Sequence, residues 1–269
     1  MSPKDFADFH KMLENERSFD ELFSDVHRSD DFTLYYNKYF SDDPIFNHAV
    51  ISEEILDSEN PSEDRILNVL QSIKSDAKVE QIPASIFVDE FRRNAAKFEK
   101  VAVEFGFRII EKMDIMSKAV NISAESPNDQ ILVEETKDVE TWNETFVSSF
   151  GIQDSWRIEL QRRGKVFASN PSTILLLARE NGASIEISGC SLLHFSPPEY
   201  AGVYCVGTVP ERRFRGVAKE LMLKAESIAY EKKCNLLLLQ TMTSDGVTPM
   251  YLRLGYRIDF ERVVLQLSQ

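Results

Sequence analysis

The sequence predicts an α/β (mixed α+β) protein, on three observations. Apolar residues recur at helical spacing in some segments and in short strand-like runs in others, and the two kinds interleave. The densest run, Leu236–Met242, is apolar enough for a fully buried central strand. In the second half the order is two helices, three strands, then helix, strand, helix, strand, which is a mixed layer architecture.

Taken in order, the first ~30 residues have helical spacing, with Phe6, Phe9, Met12 and Leu13 followed by Phe19, Leu22, Phe23 and Val26. Phe32–Tyr36 reads as an aromatic strand. Asn60-Pro61-Ser62-Glu63-Asp64 opens a helix carrying Ile66, Leu67, Val69, Leu70 and Ile73. Ala84–Val88 is strand-like, a helix is expected from about Glu90 to Glu104, and a strand over Phe107–Met116. Ser123–Asp129, with Ser126-Pro127-Asn128, reads as a linker. Beyond it come a strand at Gln130–Glu135 and helices at Asp138–Ser149 and Asp154–Phe167. Strands follow at Thr173–Glu180, Ser184–Phe195 and Tyr200–Val209. A helix at Gly216–Glu231, the strand Leu236–Met242, a short helix at Thr248–Leu254 and a strand at Arg257–Leu267 close the chain.

With 269 residues, 43% hydrophobic and 28% charged, the chain has material for two domains with real cores, which excludes wholesale disorder. These are placed at 1–122 and 130–269. No apolar run approaches the ~20 residues needed to cross a bilayer, and the acidic N-terminus lacks an apolar signal core, so a cytoplasmic protein without a membrane partner is expected. Net charge is −13, which opposes binding to nucleic acid. That charge is uneven. Residues 1–120 hold 15 basic and 25 acidic side chains, net −10, while 121–269 hold 16 and 19, net −3. Nine of the ten glycines lie at or after Gly151, so a phosphate-cradling loop is expected only there. Cys190, Cys205 and Cys234 and the four histidines have no metal-binding spacing, so no metal is expected.

The chemistry is expected in Val206-Gly207-Thr208-Val209-Pro210-Glu211-Arg212-Arg213-Phe214-Arg215-Gly216-Val217-Ala218. An apolar strand runs into a turn with three arginines and a glycine, then into a helix with Val217, Leu221, Ala225 and Ile228 on one face. Lys219, Glu220, Glu226 and Lys233 are placed largely elsewhere. A helix N-terminus offers unpaired N–H groups and partial positive charge, which suits a pyrophosphate. An ordinary strand-to-helix turn with solvated arginines fits these residues equally well.

Arg213-Phe214-Arg215-Gly216-Val217-Ala218 resembles the Gln/Arg-x-x-Gly-x-Gly/Ala signature of the GCN5-related N-acetyltransferase (GNAT) superfamily. Downstream, Tyr251-Leu252-Arg253-Leu254-Gly255-Tyr256 is similar to that family's Tyr-x-x-x-Gly-aromatic segment. The resemblance implies a GNAT fold with a central, mostly antiparallel twisted sheet flanked by helices. It also implies an enzyme that binds acetyl-CoA as co-substrate and passes its acetyl group to a primary amine by direct attack, the acceptor being a small molecule or a peptide. Val206 and Thr208 would pair with the pantetheine arm. Arg213, Phe214, Arg215, Gly216, Val217 and Ala218 would wrap the pyrophosphate, and Ser244 stands where many members carry a cofactor-contacting asparagine. Phe214 replaces a glycine common in the family. Tyr251 is the expected general acid, a phenol with an ordinary pKa near ~10 on a short helix capped by Thr248, with Pro249 at its first position and Gly255 ending it. The general base is left open among Glu199, Glu211, Asp245 and His194. A CoA-binding GNAT module of weak activity and a tandem-GNAT aminoacyltransferase are the alternative functions, and monomer and homodimer are both left open.

Phe105-Gly106-Phe107-Arg108-Ile109 echoes Leu254-Gly255-Tyr256-Arg257-Ile258, which predicts that the N-terminal region is a degenerate GNAT-like half-repeat. Its equivalent of Tyr251 is Ala102 and no glycine precedes Gly106, so it would lack both the loop and the acid. Its acidity favours a cationic acceptor.

Overall fold

The computed structural model describes residues 3–121, 128–180 and 186–268. The expected linker lies mostly outside the described residues, as do the first two residues of the expected 184–195 strand. In chain order, α1 (Pro3–Phe23) leads to β1 (Asp25–Arg28), β2 (Phe32–Tyr36), β3 (His48–Ile51) and the single turn α2 (Glu53–Leu56). Then come α3 (Glu63–Glu80), β4 (Ser85–Asp89), α4 (Ala95–Phe105), β5 (Phe107–Ala119) and β6 (Ile131–Thr136). The remainder is α5 (Val139–Phe150), α6 (Arg157–Ser169), β7 (Thr173–Glu180), β8 (Glu186–His194), β9 (Tyr200–Thr208), α7 (Val217–Glu231), β10 (Leu236–Met242), α8 (Thr248–Arg253) and β11 (Arg257–Leu267).

The elements fold into two compact units that interleave in sequence. One is Met1–Leu22 with Ser117–Leu239, and the other is Phe23–Met116 with Gln240–Gln269. Compactness therefore divides the chain otherwise than at 1–122 and 130–269. The reason is physical: β11 inserts beside β4, with Arg262↔Asp89, Val263↔Val88, Val264↔Phe87, Leu265↔Ile86 and Gln266↔Ser85 in antiparallel register.

In the second unit the strands run β1-β2-β3-β4-β11-β5. One apolar face, with Leu34, Ile51, Ile86, Val263 and Leu265, packs on Ile66, Leu70 and Ile73 of α3 and Phe98 of α4. Ser62 caps α3 by accepting from the Arg65 amide. Gly106 (φ +116) and Gly255 (φ +87) both stand in the left-handed region between a helix and a strand, so the echoed segments have the same local geometry.

Two expectations for this unit need correction. Helix does not persist through the first ~30 residues: α1 stops at Phe23, and Asp25–Arg28 pairs with β2 from Asp25↔Tyr36 to Arg28↔Thr33. That strand is polar and mostly exposed, so no apolar alternation announced it. The helix expected from Glu90 begins at Ala95. The intervening residues are held otherwise, with Arg92 buried and paired to Asp57 at 2.5 Å and Glu53 at 3.2 Å.

In the first unit the strands run β10-β9-β8-β7-β6. β6 to β9 are antiparallel neighbours, whereas β9 and β10 are parallel. Trp142 of α5 is buried and donates its indole N–H to the Ser191 carbonyl at 2.9 Å. α1 is tied down by side chains: Tyr204 donates to Asn15 Oδ1 at 2.8 Å and stacks on Phe19, and Tyr200 donates to Asp8 at 2.8 Å. α7 buries the expected face, Val217, Leu221, Ala225 and Ile228, but also Glu220 and Glu226. Burial of Glu226 is compensated by Lys118 at 2.8 Å.

Candidate active site

The first unit holds the predicted cofactor loop. β9 pairs with β10 from Leu236↔Tyr200 to Leu238↔Gly202, and the ladder ends there. On the β8 side the register jumps from Cys190↔Gly207 to Leu192↔Tyr204, one residue more on β9 than on β8. This bulge holds Cys205 at φ +56 and bends the strand as it approaches Val206 and Thr208. Two glycines make the close packing around it possible. A Cβ on Gly207 would lie 2.6 Å from Ser149 Cβ, and one on Gly189 would lie 2.6 Å from the Gly207 carbonyl oxygen and 2.7 Å from Val217 Cγ1. Sequence reasoning passed over both, although glycine within a strand marks close approach of this kind.

After Thr208, a single 3-10 turn at Pro210–Arg212 leads to Arg213, Phe214, Arg215 and Gly216 and into α7. Phe214 stands at φ +64 and is fully exposed; Gly216 stands at φ +92 with open space where a Cβ would be. The left-handed residue at 214 accounts for the glycine common there in the family. The first N–H groups of α7 have no intrahelical acceptors, so Val217 and Ala218 present donors at the open end.

The three arginines have different surroundings. Arg212 is bridged by Glu180 at 3.1 Å and by Glu186. Arg213 donates to the carbonyls of Ser149 at 2.8 Å and Thr208 at 3.4 Å, bracing the turn. Arg215 is exposed and only 3.5 Å from Glu180, which leaves its guanidinium accessible to an anion.

The second unit holds Ser244 and Tyr251. Ser244 sits in a 3-10 turn, Thr243–Asp245, and its hydroxyl donates to Glu111 of β5. Thr243 donates to the other Glu111 oxygen at 3.1 Å. Tyr251 is 7% exposed and meets Tyr256 edge-on at 6.0 Å. Burial, and then the negative charge of Asp245, push its phenol up to about 12. The cap of α8 differs from expectation. Val247 precedes the helix, Thr248 is its first residue with Pro249 second, and the Thr248 hydroxyl is turned away to Asp114 at 2.5 Å.

Of the groups considered as bases, His194 is 1% exposed, lies 2.9 Å from the Ser18 hydroxyl and is lowered to about 4 by burial, which makes it a weak proton acceptor. Asp245 is exposed, with its carboxyl raised by partial burial and by Glu111. Glu199 and Glu211 are exposed. Burial raises the Cys205 thiol to about 12, which keeps it out of nucleophilic chemistry near neutrality.

Residues 137–256 match the Acetyltransferase (GNAT) family, a span that includes the loop, α7 and Tyr251. Over that span the chain is similar to the GNAT family. Solved structures share the GNAT fold over nearly the whole chain. A GCN5-related N-acetyltransferase from Kribbella flavida aligns with TM-score 0.71 at 15% identity, covering 96% of each chain. One from Sphaerobacter thermophilus aligns with TM-score 0.70 at 13% identity, over 95% of this chain and 90% of that one. A tandem GNAT protein from the clavulanic acid biosynthesis pathway aligns with TM-score 0.60 at 13% identity, over 90% and 81%. The N-terminal half is thus GNAT-like in fold as well. No curated protein sequence matches. Among the described residues, no helix is long and apolar enough to cross a membrane.

Proposed function

We propose that the protein is an acetyl-CoA-dependent N-acetyltransferase acting on a primary amine by direct attack on the thioester. The observation that carries this reading is the bulged strand β9 leading through a turn with left-handed Phe214 and Gly216 into α7, all inside the GNAT-family span. Open space at Gly216, the α7 amides and accessible Arg215 fit a diphosphate. The β9 backbone near Val206 and Thr208 fits an extended amide-bearing arm, which would add to it as a further strand.

Acetyl-CoA would supply the activated acyl group. The amine nitrogen forms the new C–N bond as the C–S bond breaks, and Tyr251 gives its proton to the departing thiolate. A phenol is protonated across the neutral range at its ordinary pKa, and burial of Tyr251 raises it further, so the proton is present to be given. The acidic N-terminal half favours a cationic acceptor.

Calorimetry with acetyl-CoA tests the cofactor assignment. Binding is expected for the native protein and should be lost in Gly216→Glu, where a carboxylate faces the diphosphate; no binding by the native protein would sink the reading. Thiol release across a panel of amines, including polyamines, aminoglycosides and basic peptides, then tests turnover. Binding without release for any amine would favour a non-catalytic CoA-binding module instead.

A further inference from the structure

We propose that Asp114 and Glu111, both on β5 from the N-terminal half of the chain, are positioning residues for the acyl transfer, acting through the segment that bears Tyr251. This rests on the assignment of Tyr251 as the acid. Six residues are far too few for a helix to hold itself together in water, so α8 depends on tertiary anchors. Its only backbone lead-in is a Val247 residue without a side-chain cap. Thr248 instead reaches out of the helix start to Asp114, which is 4% exposed, at 2.5 Å.

Three residues earlier on β5, Glu111 does the same for the preceding 3-10 turn. Its two carboxylate oxygens take the hydroxyls of Thr243 and Ser244, and one of them also takes the Lys112 amide at 2.8 Å. Two carboxylates three positions apart therefore hold two consecutive helical turns against one strand. On the buried side of the same short helix Tyr251 meets Tyr256, whose amide donates to the Tyr251 carbonyl at 3.1 Å. A charge-assisted bond from a hydroxyl to a buried carboxylate is the stronger kind, and it resists rotation of the first turn. Ser244, which family resemblance offered to the cofactor, here has its hydroxyl donated to Glu111.

A misplacement of about 1 Å at a reacting group costs on the order of 100-fold in rate. The conservative variant Thr248→Val, which keeps shape and removes the hydroxyl, is therefore expected to lower kcat by about 10- to 100-fold while the KM for acetyl-CoA changes by less than about 3-fold. Thr248→Ser should restore most of the rate. Asp114→Ala should match Thr248→Val, and the double variant should be no worse than either single one, since both remove one contact. In a Tyr251→Phe background, Thr248→Val should have no further effect on kcat.

The outcomes separate cleanly. If Tyr251→Phe leaves turnover intact, the acid assignment fails and this inference falls with it. If Tyr251→Phe abolishes turnover while Thr248→Val and Asp114→Ala leave kcat unchanged, the acid stands and the positioning role is overturned. A loss in Thr248→Val that persists undiminished in the Tyr251→Phe background also overturns it. Thermal melts of each variant identify any that simply fail to fold. A readout independent of turnover is ¹³C-tyrosine NMR near neutral pH, in which Thr248→Val should shift the ring signal of Tyr251, packed edge-on against Tyr256. An unmoved Tyr251 signal would count against the clamp.

Discussion

Cutting the chain at its sequence boundary should fail to release an independent acetyltransferase domain. A fragment of residues 130–269 keeps the loop, α7 and Tyr251, but it leaves β11 without either neighbour, β4 or β5. Val263, Val264 and Leu265 of β11 are at most 2% exposed in the whole chain. Re-exposing each forfeits roughly 2 kcal/mol, about 6 kcal/mol together. Arg262 returns to water when Asp89 is removed, so its buried ion pair, 2.6 Å long, adds nothing to that sum. Folded domains have only about 5–15 kcal/mol in total, so the loss consumes much or all of it. Urea titration followed by tryptophan fluorescence is the assay, because both tryptophans, Trp142 and Trp156, lie in the fragment. With a slope of up to ~3 kcal/mol per molar urea, the midpoint should fall by about 2 M or the transition should vanish. A fragment that melts cooperatively within ~1 M of the full chain would refute this reasoning.

Three further outcomes are expected. Phe214→Gly removes a fully exposed side chain from a left-handed position, so it should leave stability unchanged or raise it by up to about 1 kcal/mol, whereas Phe214→Ala should show no gain; thermal melts compare the two. Gly189→Ala forces a methyl to within 2.6 Å of the Gly207 carbonyl and should cost about 1–3 kcal/mol, with weaker acetyl-CoA binding by calorimetry; an unchanged melt would show that β8 and β9 separate freely. Tyr251, raised to about 12 in the folded protein against ~10 unfolded, contributes stability that is full below pH 10 and is lost as pH rises through 12. Denaturant titrations over pH 9 to 12 should therefore show a smaller alkaline loss in Tyr251→Phe, and identical slopes would contradict it.

What the sequence disclosed, and what it withheld, follow from the range of the interactions involved. β2, β7, β10 and β11 match their expected bounds because their residues carry dense apolar patterning. The loop's place was legible from its arginines, Gly216 and the family signature, but its 3-10 turn at Pro210–Arg212 and left-handed Phe214 were not. By contrast, β1 is a polar edge strand and β3 has only four residues, so neither has a pattern to read. The supports for α8 were invisible for another reason. Thr248 and Asp114 are 134 positions apart, and no local rule pairs a threonine with one aspartate among 44 acidic residues. Likewise the interleaving of the two units depends on β11 meeting β4, which is a tertiary choice.

The interleaving also sets a timetable for synthesis. Asn15 meets Tyr204 across 189 positions, and Asp89 meets Arg262 across 173. At roughly 5–20 residues per second, α1 leaves the ribosome about 10–40 s before its strands exist. Throughout that interval Phe9, Met12, Leu13 and Phe19, all buried at the end, have nothing to pack on. β4 waits a similar time for β11. A nascent chain of this design is exposed to wrong partners for most of its translation, so its yield in cells should depend on chaperone capacity more than its final stability suggests.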